Sequence, residues 1–389
     1  MAGVISVVSL VSGLLLFLVS SVTSSSSSLY CRDEDGNQVD WWILYKLPKR
    51  KEEGNLRLKQ KYNKHKHHEN KKNHRHKHKS KQFEAYINEG VAYAYLTSSM
   101  PDNEWTLSEY SINDERSMPG KTLKELYDQN NNPDLFSLMY NDEHPNGPTS
   151  FTKGHTKGLV YGDQTNSLWM IHSVPHYPPY PNRTYSYPPT GHTYGQTALC
   201  LSLGSDQLDV IGKQLTYNDP YIYHTSLPGW LDQYSQMVKA AHGYHIKKAP
   251  YYNTEVINTL GGLAVTVFAK YTLFDKDLYA DLVAPMLQTP LLTETWPNGG
   301  GRMPSYCTGP YIVENVDEMD FEEIEDDDFT TTKDHSKWAI SLDKKKPFVC
   351  IGDINRMESQ KKRAGGTACF ILPTVWKTFK RSVKDIESC

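Results

Sequence analysis

Two short motifs carry the chemistry of this chain: Gly154-His155-Thr156-Lys157-Gly158 and Asp334-His335-Ser336-Lys337-Trp338. Each sets a histidine two residues before a lysine. In a strand, residues i and i+2 point to the same face, so each motif is expected to present an imidazole and an ammonium side by side to one phosphate. Two imidazoles supply a nucleophile or base on one side and an acid on the other, while two ammonium groups hold the non-bridging oxygens. That combination suits phosphodiester cleavage. A lone His-x-Lys arises by chance in a chain with 15 His and 42 Lys or Arg. These two gain weight from their downstream neighbours, because each is succeeded by an apolar run that ends on a polar group. Trp169-Met170-Ile171-His172-Ser173 comes after the first, and Gly352-Asp353-Ile354-Asn355-Arg356 after the second.

The elements that must position these groups alternate. Strand-like runs are expected at Gln38 to Leu47, Val91 to Leu96, Leu135 to Tyr140, Gly158 to Tyr161, Leu168 to Val174 and Thr197 to Leu203. Later ones fit Gly262 to Tyr271, Trp338 to Leu342, Phe348 to Ile354 and Ala368 to Leu372. Helical spacing appears at Leu208 to Leu215, Leu278 to Leu287 and Val375 to Ile386. A mixed α/β fold follows. His-x-Lys beside a strand in each half gives a weak two-fold echo.

Charge is balanced in total, at −3, but badly mixed. Arg57 to Lys81 holds eleven Lys or Arg against one Glu, so that segment carries +10 and the remainder −13. Almost no apolar residue occurs between Lys49 and Lys81, and Asn63 to Lys81 is expected to be a disordered loop. Its histidines, His65 to His78, invite a metal. Their irregular spacing and interleaved lysines argue instead for a solvated arm that gains charge on acidification and attracts polyanions. An opposite block, Glu314 to Asp328, has ten acidic residues and no base, and is expected to be an acidic loop.

Residues 1–28 read as a secretory signal, with Val4 to Val19 almost wholly apolar and a serine-rich stretch after it. That apolar run is shorter than the ~20 residues a bilayer requires, so a soluble, secreted or lysosomal mature protein is expected. Six cysteines in an oxidising compartment favour three disulfides, and spacing leaves all fifteen pairings open. No Cys-x-x-Cys pair points to zinc or redox chemistry. Asn182-Arg183-Thr184 is a glycosylation sequon in a Pro- and Tyr-rich stretch.

The phrases DWWILYKLP (Asp40 to Pro48), YND (Tyr140 to Asp142), GHTKG, HSVP (His172 to Pro175), YGQTALC (Tyr194 to Cys200), GKQLTY (Gly212 to Tyr217), DHSKW and GDINR resemble the deoxyribonuclease II family, a relative of the phospholipase D superfamily. The resemblance runs from about Cys31 to Cys389, with the Lys/His tract and the acidic run as departures. It implies two pseudo-symmetric halves, 29–205 and 206–389, each a mixed β-sheet flanked by helices, with an insertion at about 49–81. It implies His155 and His335 as the catalytic pair, Lys157 and Lys337 as phosphate ligands, and His172 and Asn355 as residues that either support the catalytic pair from behind or contact the phosphate. Asp353 either orients a catalytic histidine through Nδ1 or caps a turn. It selects the disulfides Cys31–Cys200, Cys307–Cys389 and Cys350–Cys369.

The chemistry so implied is a phosphohistidine intermediate, with no metal or cofactor and 3′-phosphate products, acting on double-stranded DNA without sequence preference. The expected form is a monomer or homodimer free of the membrane. Two other readings fit the residues: a two-histidine ribonuclease using the substrate's 2′ hydroxyl, and a cationic polyanion-binding or toxin protein that does not catalyse.

Overall fold

The structure, a computed structural model, describes residues 29–50, 74–100, 102, 104–321 and 328–389. Most of the expected disordered loop, residues 63–73, lies outside the described residues, as do the expected signal segment and residues 322–327 of the acidic run.

Two large sheets dominate, and each is buried on both faces. In strand Trp41–Lys46 the odd residues Trp41, Ile43 and Tyr45 enter a core shared by the two sheets, while Trp42 and Leu44 enter a second core on the outer face. Burial on both sides explains why WWILYK reads as a continuous apolar run with no alternation. Val265, Val267, Trp338, Ile340, Val349, Ile351 and Phe370 fill the shared core from the second sheet. Helix Met118–Asp128 covers the outer face of the first sheet, and the helical segment Tyr279–Leu287 that of the second.

The first sheet is antiparallel throughout, in the order Ile222–Ser226, Phe136–Asn141, Lys157–Gly162, Asn166–His172, Gln196–Gly204, Trp41–Lys46, Tyr93–Thr97, Thr106–Leu107. The second runs Tyr252–Asn258, Ala264–Lys270, Gly365–Ile371, Phe348–Gly352, Lys337–Ser341, Leu291–Thr295, Val313–Met319, Phe329–Thr330. Its one parallel pair joins Leu291–Thr295 to Val313–Met319. Each sheet thus holds a consecutive antiparallel triplet that opens on a His-x-Lys motif: 157–162, 166–172 and 196–204 in one, 337–341, 348–352 and 365–371 in the other. The fold is mixed α/β, as the sequence indicates.

Four details depart from the sequence expectations. Helix His74–Glu89 begins inside the tract expected to be a loop; Phe83, Tyr86 and Ile87, spaced three and four apart, anchor its second half on the core. The acidic run is a strand up to Met319, because Val313, Val316 and Met319 are buried while Asp317 and Glu318 turn outward to Arg302 (2.7 Å) and Lys384 (3.0 Å). The apolar spacing of Val375 to Ile386 is split: helix Pro373–Arg381 ends, and Val383–Glu387 pairs with Val313–Met319. After helix Leu208–Asn218 the chain returns to the first sheet through Ile222–Ser226, so the second sheet starts only at Tyr252.

Disulfides join Cys31 to Cys200, Cys307 to Cys389 and Cys350 to Cys369. Asn182, Arg183 and Thr184 are exposed. Among the described residues no helix is long and apolar enough to cross a membrane.

Candidate active site

The first motif sits where a loop enters strand Lys157–Gly162. Gly154 donates its amide to the Asp219 carbonyl (2.9 Å). A side chain here would overlap the Asn218 carbonyl, so the position requires glycine. His155 donates its amide to Ala364 O (2.9 Å), and its Nδ1 lies 2.5 Å from the carbonyl of Asp353. A carbonyl only accepts, so Nδ1 carries the proton and Nε2 keeps a free lone pair. Asp353 therefore orients His155 through its main chain, while its carboxylate accepts from Thr156 Oγ1 and from the Gly366 amide (3.0 Å). Lys157, the first residue of the strand, is buried and ion-paired with Asp142, whose other oxygen lies 3.3 Å from Arg363.

The second motif is built the same way from the other side. His335 donates its amide to Gly195 O (2.9 Å). Asp334 is wholly buried and accepts from Tyr45 OH, the Ser336 amide (2.9 Å) and Ser336 Oγ (2.8 Å), which clamps the turn. The His335 ring stacks on Tyr194 at 4.7 Å between centroids and 11° between planes, and the Trp296 ring lies 3.8 Å from it. Lys337 is buried; its amide donates to Thr197 Oγ1 (3.3 Å) and its ammonium to His335 O. Lys337 has no carboxylate within ion-pair distance among the described residues, in contrast to Lys157.

Each histidine thus precedes its strand, with only the lysine in it, and each docks on the other half of the molecule. Pairing Gly195 with His335, and Ala364 with His155, interlocks the two motifs across the sheet interface. The charges of the two motifs are coupled. Burial and the neighbouring Lys157 hold the His155 imidazole well below its usual range, and Lys337 adds to the effect. His335 is depressed by burial and then by Lys337, Lys157 and His155. Lys337 is pushed down to about 7 by burial and by Lys157. Asp142, although its burial acts the other way, stays well below the usual carboxylate range because Lys157, His155 and Arg363 surround it.

Of the other expected residues, Asp353 touches the first motif and His172 feels the charge of Lys157. His172 is fully buried, accepts from the Val174 amide at Nδ1 (3.2 Å), stands edge-on to Tyr177, and is pushed down to about 3 by burial and Lys157. Its Nε2 has no partner among the described residues. Asn355 is buried, with its amide donating to Gln360 Oε1 (2.7 Å) and its own Oδ1 unpartnered. Asp353 is pushed up to about 6 by burial.

Sequence reasoning gave no role to Asp142, Arg363, Tyr45, Tyr194, Trp296 or Glu294. Tyr45, Asp142 and Tyr194 fall in quoted phrases, but only contact identifies them. Glu294 is buried with both oxygens unpartnered, and burial and Asp334 push its carboxyl well above the usual range.

A cleft lined by Lys239, His242, His245 and Lys247, with no carboxylate in its lining, opens near the first motif. The link is Asp219. Its carbonyl holds Gly154, and its carboxylate lies 2.8 Å from Lys153 and 3.8 Å from His245.

The Deoxyribonuclease II family model matches residues 30–85 and 71–389. The chain is 33% identical to Deoxyribonuclease-2-alpha of Rattus norvegicus over 379 residues, covering 96% of this chain and 98% of the relative. It is 34% identical to Deoxyribonuclease-2 of Caenorhabditis elegans over 392 residues (94% and 95%). It is 30% identical to Plancitoxin-1 of Acanthaster planci over 378 residues, 96% of each.

Proposed function

The chain belongs to the deoxyribonuclease II family, and from that premise we propose that it is a metal-independent endodeoxyribonuclease that cuts double-stranded DNA through a phosphohistidine on His155. One observation supports the mechanism: each of the two His-x-Lys motifs docks its histidine amide on the other half of the molecule, and the charge of each motif's lysine depresses the other motif's histidine.

The roles divide by environment. His155 has its proton fixed on Nδ1 by the Asp353 carbonyl, which leaves the Nε2 lone pair to attack phosphorus. His335 lies against two aromatic rings, whose faces offset part of the cost that burial and the neighbouring lysines place on charging it, so it serves as the acid. In the first step the Nε2–P bond forms, the P–O5′ bond breaks, and the His335 proton goes to the departing 5′ oxygen. In the second, His335 takes a proton from water, whose oxygen bonds to phosphorus as the P–N bond breaks. The product is a 3′ phosphate and free His155. Lys157 and Lys337 hold the non-bridging oxygens throughout.

A phosphodiester supplies the negative charge that these crowded cations lack. Its arrival raises both imidazoles and Lys337 toward their charged forms. Because His335 must be protonated and its surroundings oppose that, activity rises as pH falls. An acidic compartment, lysosomal or extracellular, and passage along the secretory route fit this requirement. The carboxylate-free cleft at Lys239 to Lys247 gives flanking phosphates a place to bind, through charge alone and hence without sequence preference.

The test is end-group analysis of plasmid DNA cut in excess chelator. The expected product has 3′-phosphate ends and forms at undiminished rate; 5′-phosphate ends, or activity lost with the chelator, overturn the two-histidine mechanism. His155→Ala and His335→Ala should each abolish cutting while the protein stays folded.

A further inference from the structure

Two lysines outside the motifs occupy matching places in the two sheets. Lys46 ends strand Trp41–Lys46 and lies opposite Gln196; Lys270 ends strand Ala264–Lys270 and lies opposite Gly365. In each sheet, then, the lysine flanks the entrance to the third strand of the motif triplet. Both side chains are buried. Neither ammonium has a carboxylate within ion-pair distance among the described residues; Lys46 is held by one main-chain carbonyl and Lys270 by three. Lys46 Nζ donates to His192 O (2.8 Å). Lys270 Nζ donates to Gln360, Lys361 and Arg363 O (2.9, 2.8 and 2.6 Å).

Burying an ammonium is costly, and carbonyls alone compensate it poorly. What these two charges do instead is gather loop carbonyls. The loop that Lys46 gathers continues to Gly195, whose carbonyl receives the His335 amide; the loop that Lys270 gathers continues to Ala364, whose carbonyl receives the His155 amide. The second loop is braced further by Arg363, which reaches across to Asp142 and to the Ser150 and Lys153 carbonyls.

We propose that Lys46 and Lys270 are positioning residues for phosphoryl transfer, each fixing the loop on which the opposite half's catalytic histidine docks: Lys46 acts on His335, and Lys270 on His155. The assignment rests on the roles given above, His155 as nucleophile and His335 as acid. It makes the two lysines chemically distinguishable, although both donate only to main-chain carbonyls. Loss of Lys46 impairs proton donation to the leaving group, whereas loss of Lys270 impairs attack on phosphorus.

The experiment compares plasmid DNA with thymidine 3′-(4-nitrophenyl phosphate), whose nitrophenolate departs without a proton, so that its initial burst reads P–N bond formation alone. The variants are Lys46→Met, Lys270→Met, His335→Ala and His155→Ala, with folding checked by near-UV circular dichroism. Lys46→Met should follow His335→Ala, losing roughly tenfold to a hundredfold in kcat on DNA while keeping most of its burst. Lys270→Met should follow His155→Ala and lose both. If His335→Ala itself loses the burst, the acid role fails and the two-histidine reading falls with it. If the histidine variants split as expected but the lysine variants lose both substrates equally, or lose neither, the positioning role is overturned. Should the methionine variants not fold, Lys46→Gln and Lys270→Gln retain a donor and must show the same split; failure of these to fold assigns the lysines to stability alone and likewise overturns the proposal.

Discussion

His172→Asn isolates the cost of an imidazole buried neutral beside the site. The His172 side chain is fully buried, its Nδ1 accepts the Val174 amide, and burial with the nearby Lys157 takes it down to about 3. An asparagine at this position keeps an acceptor and cannot titrate. A histidine in the unfolded chain has a pKa near ~6.5, so below that pH the unfolded state binds a proton that the folded state refuses. The stability contributed by neutral His172 is therefore fully present above ~6.5 and is lost as pH falls toward about 3. At pH ~5 the unfolded state is favoured by about 2 kcal/mol relative to pH ~8, with a limiting slope of about 1.4 kcal/mol per unit.

Asp353, raised to about 6, acts in the opposite direction between ~4 and 6. The comparison must accordingly be between two proteins at each pH, not along one protein's pH series. Urea unfolding followed by tryptophan fluorescence, disulfides intact, gives it directly. The stability gap between wild type and His172→Asn should move by about 2 kcal/mol in the variant's favour between pH ~8 and ~5, with m-values unchanged. A gap constant to within about 0.5 kcal/mol refutes the claim that this imidazole is held neutral.

Three further outcomes are expected. Lys157→Ala and Lys337→Ala should each cost ~10²-fold in kcat, but only Lys157→Ala strips a buried carboxylate, Asp142, of its closest cation, so it alone should also lose about 3 kcal/mol in denaturant unfolding. Gly154→Ala drives a methyl group into the Asn218 carbonyl and should cost about 1–3 kcal/mol, with a fall in DNA cleavage because His155 is the next residue. Deleting 63–73, with its lysines 64, 66, 71 and 72, should leave the fold intact and flatten the dependence of log DNA affinity on log salt by about 0.9 per phosphate contact removed; an unchanged slope would take the tract out of DNA binding.

The local chemistry was legible in the residues themselves. Doubly buried strands announce themselves as apolar runs, as WWILYK does, because no solvent-facing side intervenes. The residues proposed as catalytic were equally plain in GHTKG and DHSKW, since few side chains titrate or carry charge in the way that holding and cutting a phosphate requires. The resemblance also named the cysteine pairs that the structure joins.

Whatever depends on two distant segments meeting was settled only by the fold. The acids Asp317 and Glu318 belong to a strand because Val313 and Val316 before them and Met319 after them find a core. Val383 and Ile386 leave a helical pattern because strand Val313–Met319 offers them an edge. The strand geometry expected to align each His-Lys pair is absent: His155 and His335 stand before their strands, held by carbonyls of Ala364 and Gly195 more than 130 residues away. Main-chain carbonyls carry no residue identity, so no pattern of side chains could announce them. For the same reason the unequal settings of the two lysines, one ion-paired with Asp142 and the other with no carboxylate within ion-pair distance among the described residues, and the tautomer of His155, are properties of tertiary contact alone.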